Sequence, residues 1–390
     1  MKVFLVAIEP SADELGAGLI RALRVRIPAL QPVGVGGVAM AAEGLQSLFD
    51  PRPLAIVGLV EALRVAPLAL QRAAETARAA LAAEPAAAVL IDAWGFTTQA
   101  ARRLRAAHPR FPLVKYVGPQ VWAARPGRAR KVAALYDRLI ALFPFEAPFY
   151  AGLDLPIDVC GFPVLQSTRR GDAIGFRARH GLGEGRLLLL APGSRGSEIA
   201  RVAPVLAAAA DSLAQARTDL RVVVPVAPAV RALVEVAAQS WGFPHRLIFD
   251  PIEKEDAFAA ATAALAASGT VTSEIALQGA PVVVGYQVDW LTAALMRHVF
   301  IAPYVTLMNV AAGSEIAPEF VQQRFTPEAL AAAAAPLLDD PARRAAQAGA
   351  QHEALQALRG SGPPAAEVSA EAVLAAIAAG PRYPRAASGV

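Results

Sequence analysis

A turn in the second half of the chain combines a glycine, a hydroxyl group and an arginine in an order that suits phosphate binding. Gly193, Ser194 and Arg195 follow residues 187–190, an apolar run that predicts a buried strand, and precede the helix predicted over residues 198–216. Glycine permits close approach to the backbone, and a helix N-terminus offers unpaired N–H groups and partial positive charge. Arg195 adds a bidentate donor. The alternative is an ordinary strand-to-helix turn with a solvated arginine.

A second turn of small residues lies further along the chain. Ser268, Gly269 and Thr270 open a predicted helix, and Glu274 lies one turn inside it. A carboxylate at that position can accept two hydrogen bonds from ribose hydroxyls. Alternatively, it is a glutamate favoured by the helix dipole, a contribution of ~0.3–1 kcal/mol. Two such turns in one domain favour a nucleoside diphosphate site more than either turn alone.

In the first half, an aspartate ends an apolar strand. Asp92 follows the strand predicted over Ala87–Ile91 and precedes Trp94 and Phe96. A carboxylate at a strand end beside aromatic residues suits a general base. The alternative is an aspartate that caps the following loop.

Glu9 follows the strand predicted over residues 3–7, and it is a weaker candidate of the same kind. The spacing of Ser11 and Glu14 is that of a capping box, which predicts that a helix opens there.

The usual spacings of metal and nicotinamide sites are missing from the sequence. The five histidines are scattered without an HExxH pair, and no Asp-x-Asp ends a strand. Gly34-Val35-Gly36-Gly37 is an incomplete GxGxxG pattern, and it follows the second strand. We therefore expect no metal and no cofactor.

These residues need two sets of parallel strands to position them. Apolar runs alternate with helical patterns in both halves, which predicts an α/β protein with two doubly wound Rossmann-like domains and alanine-rich helix over residues 328–379. Ligands bind outside the carboxyl ends of such strands, so we expect the domains to face a cleft. We expect the domains over residues 1–168 and 169–365. A C-terminal helix and tail, residues 366–390, should return to the first domain.

The composition limits the possible partners. The net charge is 37 − 33 = +4, and the pI is about 9.4. Because no dense Lys/Arg tract is present, we expect no nucleic acid partner, whereas phosphorylated ligands or an anionic lipid surface fit the charge.

The cysteine count and the apolar runs indicate the compartment. One cysteine, Cys160, excludes an internal disulfide framework. The first residues lack the pattern of a signal peptide, so the cytoplasm is expected. A transmembrane helix needs about 20 apolar residues, and the uncharged runs are shorter. Membrane contact, if present, is expected to be peripheral.

A series of short segments shares the order and spacing of a known family. The segments are residues 8–13, 34–37, 58–61, 91–97, 119–125, 142–146, 192–195, 267–270 with Glu274, and 304–309 with Gly313 and Glu315. Together they resemble the lipid-A-disaccharide synthase family, inverting glycosyltransferases of bacterial outer-membrane biosynthesis with a GT-B-type fold. The resemblance extends from about residue 2 to residue 378. This chain departs from the family at Ile8, Ala12, Gly95 and Phe162, all in the first domain.

The resemblance implies a reaction and a set of site residues. UDP-2,3-diacylglucosamine and 2,3-diacylglucosamine 1-phosphate would give a β-1,6-linked disaccharide 1-phosphate and UDP, with Asp92 as the base and no metal. The residues implied on the acceptor side are Glu9, Ser11, Asp13 and Gly36. Those implied around UDP are Gly193, Ser194, Arg195, Ser268, Gly269, Thr270, Glu274, Asn309 and Glu315.

The same resemblance implies partners and a location. The substrates would be UDP-diacylglucosamine and an acylated glucosamine 1-phosphate, and the inner-membrane surface of a Gram-negative bacterium would be a partner. The protein would be peripheral on the cytoplasmic face, and a homo-oligomer is left open. Two alternatives stay open: another UDP-sugar GT-B enzyme such as an epimerase, and a non-catalytic UDP-lipid-binding paralogue.

An apolar stripe near residue 65 bears on the membrane. Its members recur at helical spacing, with two arginines nearby: Leu59, Val60, Ala62, Leu63, Ala66, Leu70, Arg64 and Arg72. Pro67 interrupts the run, which predicts two short helices. Alone, such a stripe is typical of a core-facing helix. Because diacylated substrates lie in the bilayer, the resemblance favours docking on the inner leaflet.

Overall fold

The computed structural model describes residues 1–55, 59–297 and 299–380, with side chains left out at residues 59–63, 291 and 295. The chain divides into two compact units. Unit 1 comprises Met1–Pro163 and the chain from Gly360 onward, and unit 2 comprises Val164–Arg359. These divisions lie within a few residues of positions 168 and 365.

Unit 1 is built on a parallel sheet of six strands. They are β1 (Lys2–Val6), β2 (Gln31–Val35), β3 (Ala87–Ile91), β4 (Leu113–Tyr116), β5 (Arg138–Ala141) and β6 (Ile157–Val159), in the spatial order β2-β1-β3-β4-β5-β6. All residues of β3 and β4 are buried, as expected for strands covered on both faces. The strand order reverses between β1 and β3, where Val6 pairs with Leu90.

The helices of this part of the chain cover the sheet. They are α1 (Pro10–Arg26), α2 (Val38–Ala42), α3 (Leu59–Ala83), α4 (Trp94–Ala107), α5 (Arg128–Leu135) and, at the junction of the units, α6 (Pro163–Ser167), with 3-10 turns at Arg52–Leu54 and Pro144–Tyr150.

Unit 2 has a second parallel sheet. Its strands are β7 (Leu187–Ala191), β8 (Arg221–Pro225), β9 (His245–Ile248), β10 (Ala263–Ala267), β11 (Val282–Tyr286) and β12 (Glu319–Val321), in the order β12-β11-β10-β7-β8-β9. The order reverses between β7 and β10, where Ala191 pairs with Ala266. The expected α/β class, with two doubly wound sheets, is confirmed.

The remaining helices follow in chain order. They are α7 (Ala173–His180), α8 (Gly196–Gln215), α9 (Arg231–Ala238), α10 (Lys254–Ala260), α11 (Thr270–Leu277), α12 (Trp290–Met296), α13 (Leu307–Ala312), α14 (Pro327–Asp339), α15 (Pro341–Arg359) and α16 (Ala365–Ala379), with 3-10 turns at Pro228–Val230, Pro251–Glu253 and Gln322–Arg324. The last helix, α16, packs on α1 in unit 1, where Arg26 and Glu371 form an ion pair of 2.6 Å. Within the described ranges, no helix is both long enough and apolar enough to cross a bilayer.

Two local expectations are wrong. The helix α1 begins at Pro10, ahead of Ser11, because proline is favoured in the first turn, and no side-chain cap forms there. The helix α3 runs through Pro67 without a break, and Val65, Leu68 and Ala69 pack on the core around that proline. The alanine-rich tract is helical as expected, and Pro341, Gly360 and Pro364 lie where it divides into three helices.

Candidate active site

The two turns predicted to bind phosphate lie side by side in unit 2. Because β7 and β10 are parallel neighbours, the turns that follow Ala191 and Ala267 leave the same edge of the sheet. This edge is also the point where the strand order reverses, the usual place for a ligand in a doubly wound sheet. The sequence predicted both turns, and the sheet order brings them together.

The first turn is held by a carboxylate that the sequence reasoning did not single out. Glu198 accepts the backbone N–H groups of Ser194 at 2.9 Å and Arg195 at 3.2 Å, and its other oxygen lies 3.1 Å from Arg195 Nη1. The expectation that the N–H groups of this turn are unpaired is therefore wrong for those two residues. The sequence contained a signal for this contact, because Glu198 is three residues after Arg195, the N-cap of α8, and this is the spacing of a capping box. The Arg195 side chain is 53% exposed and reaches solvent.

Gly193 must be a glycine in this geometry. Its φ is +114°, and a Cβ would lie 2.4 Å from Glu198 Oε2. A substitution would therefore both strain the backbone and displace the carboxylate that fixes the turn.

The second turn opens α11 as predicted. Gly269 is the N-cap, and a Cβ built on it meets nothing within 4 Å, so the turn borders open space. Ser268 Oγ donates to the carbonyl oxygen of Val305 at 3.3 Å. Glu274 accepts a hydrogen bond from Lys254 Nζ at 3.0 Å, and its side chain is mostly buried. The sequence reasoning missed Lys254, because it lies on α10, twenty residues before Glu274.

The late-loop residues Asn309 and Glu315 make contacts within their own loop. Asn309 is fully buried, donates to the Ala317 carbonyl oxygen and to Glu319, each at 2.8 Å, and accepts the N–H groups of Ile316 and Ala317. Glu315 Oε1 accepts the N–H of Glu319 at 3.1 Å. The buried contacts of Asn309 stabilise the loop, and a role at UDP stays a prediction for both residues.

In unit 1, the ends of two adjacent strands have unusual backbone conformations. Asp92, Ala93 and Val117 have positive φ values of +46°, +40° and +62°. A left-handed conformation costs a non-glycine residue about 1–3 kcal/mol and persists only where the surrounding structure holds it. Asp92 follows β3, and Val117 follows β4, its parallel neighbour. The strained residues therefore lie at one edge of the sheet.

A buried lysine holds the Asp92 turn. Lys115, in β4, has no exposed surface; its ammonium donates to the carbonyl oxygen of Asp92 and to Thr97 Oγ1, the latter at 2.9 Å. Thr97 Oγ1 also lies within hydrogen-bond distance of the Asp92 and Ala93 carbonyl oxygens, at 2.9 and 3.1 Å. Burial lowers the pKa of Lys115 to about 7, and the charge of Asp92 opposes that shift. A lysine inside an otherwise apolar strand was the signal that the sequence reasoning overlooked.

A buried carboxyl group lies in the 3-10 turn that follows β5. Glu146 accepts the N–H groups of Leu142 at 3.1 Å and Phe143 at 3.0 Å. Burial raises its pKa to about 7; those two N–H groups oppose the shift, and the charge of Asp92 adds to it. In the described part of the chain, the buried Tyr150 hydroxyl has no hydrogen-bond partner. A Cβ at Gly118 would lie 2.7 Å from this hydroxyl, so only glycine fits beside it.

The predicted acceptor-side residues gather around the end of β1. Glu9 is the N-cap of α1, and Ser11 is exposed in its first turn. Asp13 is buried, and its carboxylate accepts the N–H groups of Gly37, Ala39 and Met40 at 2.7, 2.8 and 3.1 Å, which stabilises the start of α2. The N–H of Gly36 donates to Ser47 Oγ at 3.1 Å. An acceptor role for these four residues stays a prediction.

The departures from the family fit the packing of unit 1. Ile8, Ala12 and Phe162 are buried, and the Phe162 ring packs edge-on against Phe143 at 5.3 Å. A Cβ at Gly95 meets nothing within 4 Å. Three departures therefore fill the core, whereas the fourth leaves space beside the Asp92 loop.

Among the described residues, no group of three histidine, cysteine, aspartate or glutamate side chains is placed so that it could hold a metal ion.

Comparison with known proteins gives a consistent result over the whole chain. A family model described as lipid-A-disaccharide synthetase matches residues 3–373. The lipid-A-disaccharide synthase of Rhodospirillum centenum is 44% identical over 375 residues, which cover 95% of this chain and 94% of that protein. The enzyme of the same name from Pseudomonas aeruginosa is 39% identical over 358 residues, 91% of this chain and 94% of that protein.

Solved structures of low sequence identity share the fold. A UDP-GlcNAc 2-epimerase from Neisseria meningitidis, bound to UDP-GlcNAc, is 14% identical with a TM-score of 0.61; the match covers 96% of this chain and all of that one. A glycosyltransferase of kitacinnamycin is 15% identical with a TM-score of 0.61, covering 96% and 98%. At these identities the likeness shows the fold alone.

Proposed function

The chain belongs to the lipid-A-disaccharide synthase family and is a glycosyltransferase of lipid A biosynthesis, and we propose that its two units have separate roles in this reaction. Unit 2 binds the UDP moiety of the donor at the ends of β7 and β10. Unit 1 binds the acceptor sugar and supplies the base, Asp92. The observation that carries this assignment is the pair of small-residue turns at the point where the strand order of unit 2 reverses.

The reaction joins two acylated glucosamines. The acceptor is 2,3-diacylglucosamine 1-phosphate, whose 6-hydroxyl oxygen attacks the anomeric carbon of UDP-2,3-diacylglucosamine. The new O–C bond forms on the face opposite UDP while the bond from the anomeric carbon to the diphosphate oxygen breaks. The hydroxyl proton passes to a base, and the electron pair of the broken bond leaves with UDP.

Asp92 is the base in this proposal. Its backbone conformation is strained, and Lys115 and Thr97 hold the backbone carbonyl of the residue that carries the carboxylate. General base catalysis contributes ~10²–10⁴-fold to a rate, and it depends on such positioning.

The leaving UDP is stabilised in unit 2. Arg195 and the turn fixed by Glu198 offer positive charge and a hydroxyl group to the diphosphate, and the N-terminus of α11 adds a partial positive charge. Glu274, close to this helix start, accepts hydrogen bonds from the ribose. Its ion pair with Lys254 restricts the carboxylate before the ligand arrives.

We propose that α3 brings the enzyme to the cytoplasmic face of the inner membrane. Leu70 is 45% exposed and Ala66 is half-buried, whereas Val65 and Leu68 face the core. The side chains of Leu59, Val60, Ala62 and Leu63 lie outside the described residues. Of the two arginines near the stripe, Arg72 is paired with Glu75 at 2.6 Å and lies over the Phe49 ring. We therefore assign the contact with anionic headgroups to Arg64.

The base assignment is tested with Asp92→Asn. We expect the rate of disaccharide formation to fall ~10²–10⁴-fold because asparagine cannot accept the proton, with UDP affinity by calorimetry unchanged. Glu371→Gln, which removes an exposed carboxylate from α16 of the same unit, serves as the control and should keep the wild-type rate. A near-normal rate for Asp92→Asn would exclude Asp92 as the base.

A further inference from the structure

The loop after β4 and the start of α5 contain four cations within seven residues: Arg125, Arg128, Arg130 and Lys131. Across the ranges that the structure describes, none of the four forms an ion pair with a carboxylate. Two buried or partly buried arginines of unit 1 differ in this respect: Arg105 is paired with Asp137 and Arg138 with Asp158, each at 2.5 Å. No carboxylate of the described residues therefore neutralises the positive charge of this loop.

One of these cations, Arg128, lies over the ring of a residue that is close to Asp92 in the sequence. The guanidinium carbon of Arg128 lies 5.8 Å from the centre of the Trp94 ring, and Trp94 is two residues after Asp92. Arg128 is half-buried, and this burial together with the charge of Arg125 lowers its pKa. A partly buried guanidinium that also meets a second positive charge is unfavourable unless an anion joins them.

The loop that presents these cations is fixed before any ligand binds. Arg125 has a φ of +52°, and its carbonyl oxygen accepts the N–H of Arg128 at 3.0 Å. Trp122, three residues earlier, is buried and packs edge-on against Phe145 with ring centres 5.2 Å apart. A strained residue in a loop anchored by a buried tryptophan indicates a preformed site.

We propose that Arg125 and Arg128 bind the phosphate monoester of the acceptor sugar, an inference that rests on the proposed function. Paired guanidinium groups match a doubly charged phosphate, which accepts bidentate hydrogen bonds from them. The 1-phosphate is on C1 and the 6-hydroxyl is on C6, on either side of the ring oxygen, so the phosphate site must lie within one sugar ring of the base. Arg128 on the Trp94 ring is consistent with this requirement, because Trp94 is two residues after Asp92.

The test compares two acceptors in neutral detergent micelles: 2,3-diacylglucosamine 1-phosphate and the same lipid without its phosphate. For the wild-type enzyme, we expect kcat/KM to fall at least tenfold when the phosphate is removed. In the double variant Arg125→Gln with Arg128→Gln, this ratio should approach one, with KM for the UDP donor unchanged. Arg110→Gln, which removes an exposed charge before β4 at the opposite edge of the sheet, should keep the wild-type ratio.

Calorimetry with the same two lipids gives the ratio of affinities without turnover, so the subsite is tested even if the base assignment fails. The proposal is overturned if the double variant keeps the wild-type ratio, or if it weakens both acceptors equally, as a purely structural defect would. It is also overturned if the variant loses affinity only for phosphatidylglycerol vesicles and keeps the ratio, because the cations would then bind lipid headgroups. Absence of disaccharide from the wild-type enzyme would count against the proposed function instead.

Discussion

At the scale of single residues, Lys115 shows how a buried charge supports the base. Its ammonium contacts two oxygens, one of them the carbonyl of Asp92, and so stabilises a left-handed residue that otherwise costs free energy. The same burial penalises the protonated lysine, which is why its pKa falls to about 7. The position of Asp92 therefore depends on a group that is itself close to titration at neutral pH.

The free energy of unfolding should show this titration. The pKa of Lys115 is about 7 in the folded protein and 10.5 in its ordinary state, so between these values the unfolded chain binds more protons. Stability from this group should rise with pH across that window, with a limiting slope of ~1.4 kcal/mol per pH unit, and be lost as pH falls through 7. Lys115→Met, which keeps the volume and removes the charge, should abolish the rise.

Urea unfolding of both proteins at pH 6.5, 8 and 9.5 measures this difference. The free energy of unfolding of the wild type should rise relative to that of Lys115→Met as pH increases. Lys131→Met, which removes an exposed lysine from α5, is the control and should follow the wild type. Parallel pH curves for wild type and Lys115→Met would show that Lys115 has its ordinary pKa.

Sequence reasoning found the residues whose position follows from local pattern. The end of an apolar strand defined Asp92, and a turn before a helix defined Arg195. It did not find Lys115, Glu146 or Glu198, because their roles depend on burial and on contacts that pattern alone does not reveal. Asp13 shows the same limit: its family position implies an acceptor-side role, which stays a prediction, and the sequence did not indicate that its carboxylate accepts three backbone N–H groups.

At the scale of elements, the candidate UDP site depends on which strands are neighbours. The sequence identified the strands that became β7 and β10 and the turns after them. Ala191 and Ala267 are 76 positions apart, and the adjacency of their strands is a property of the whole sheet. The short strands β9 and β12 were not predicted. They have four and three residues, too few for a clear periodicity.

Because both turns contribute to the proposed UDP site, a substitution in either turn should weaken UDP binding. Arg195→Ala and Glu274→Ala should each reduce UDP affinity by ~1–3 kcal/mol, the usual range for hydrogen bonds to charged groups. Calorimetry with UDP measures the change. Glu235→Ala removes a carboxylate that also forms an ion pair, with Arg231 on α9, and should leave the affinity unchanged. Unaltered UDP binding in both test variants would refute the site at the β7/β10 edge.

At the scale of the whole molecule, composition and the order of motifs were sufficient for the fold class and the family, because both are distributed over the chain. The return of the C-terminal helix α16 to unit 1 involves contacts between residues 345 positions apart, such as Arg26 with Glu371, and no local pattern specifies them. Surface properties are harder still, because a stripe at helical spacing looks alike whether it faces a core or a membrane.

The structure permits a test of the membrane proposal on a described residue of α3. Leu70→Glu places a charge on a side chain that is 45% exposed, on the opposite side of α3 from Leu68. Since a buried leucine contributes ~1.5–3 kcal/mol, we expect roughly tenfold weaker binding to phosphatidylglycerol vesicles or more. We also expect slower turnover of vesicle-held acceptor, with Tm and UDP affinity unchanged. Val25→Glu, at an 81% exposed position on α1, is the matched control. Equal vesicle binding by the two variants would remove α3 from the membrane contact, and a fall in Tm without a change in binding would assign Leu70 to the packing of unit 1.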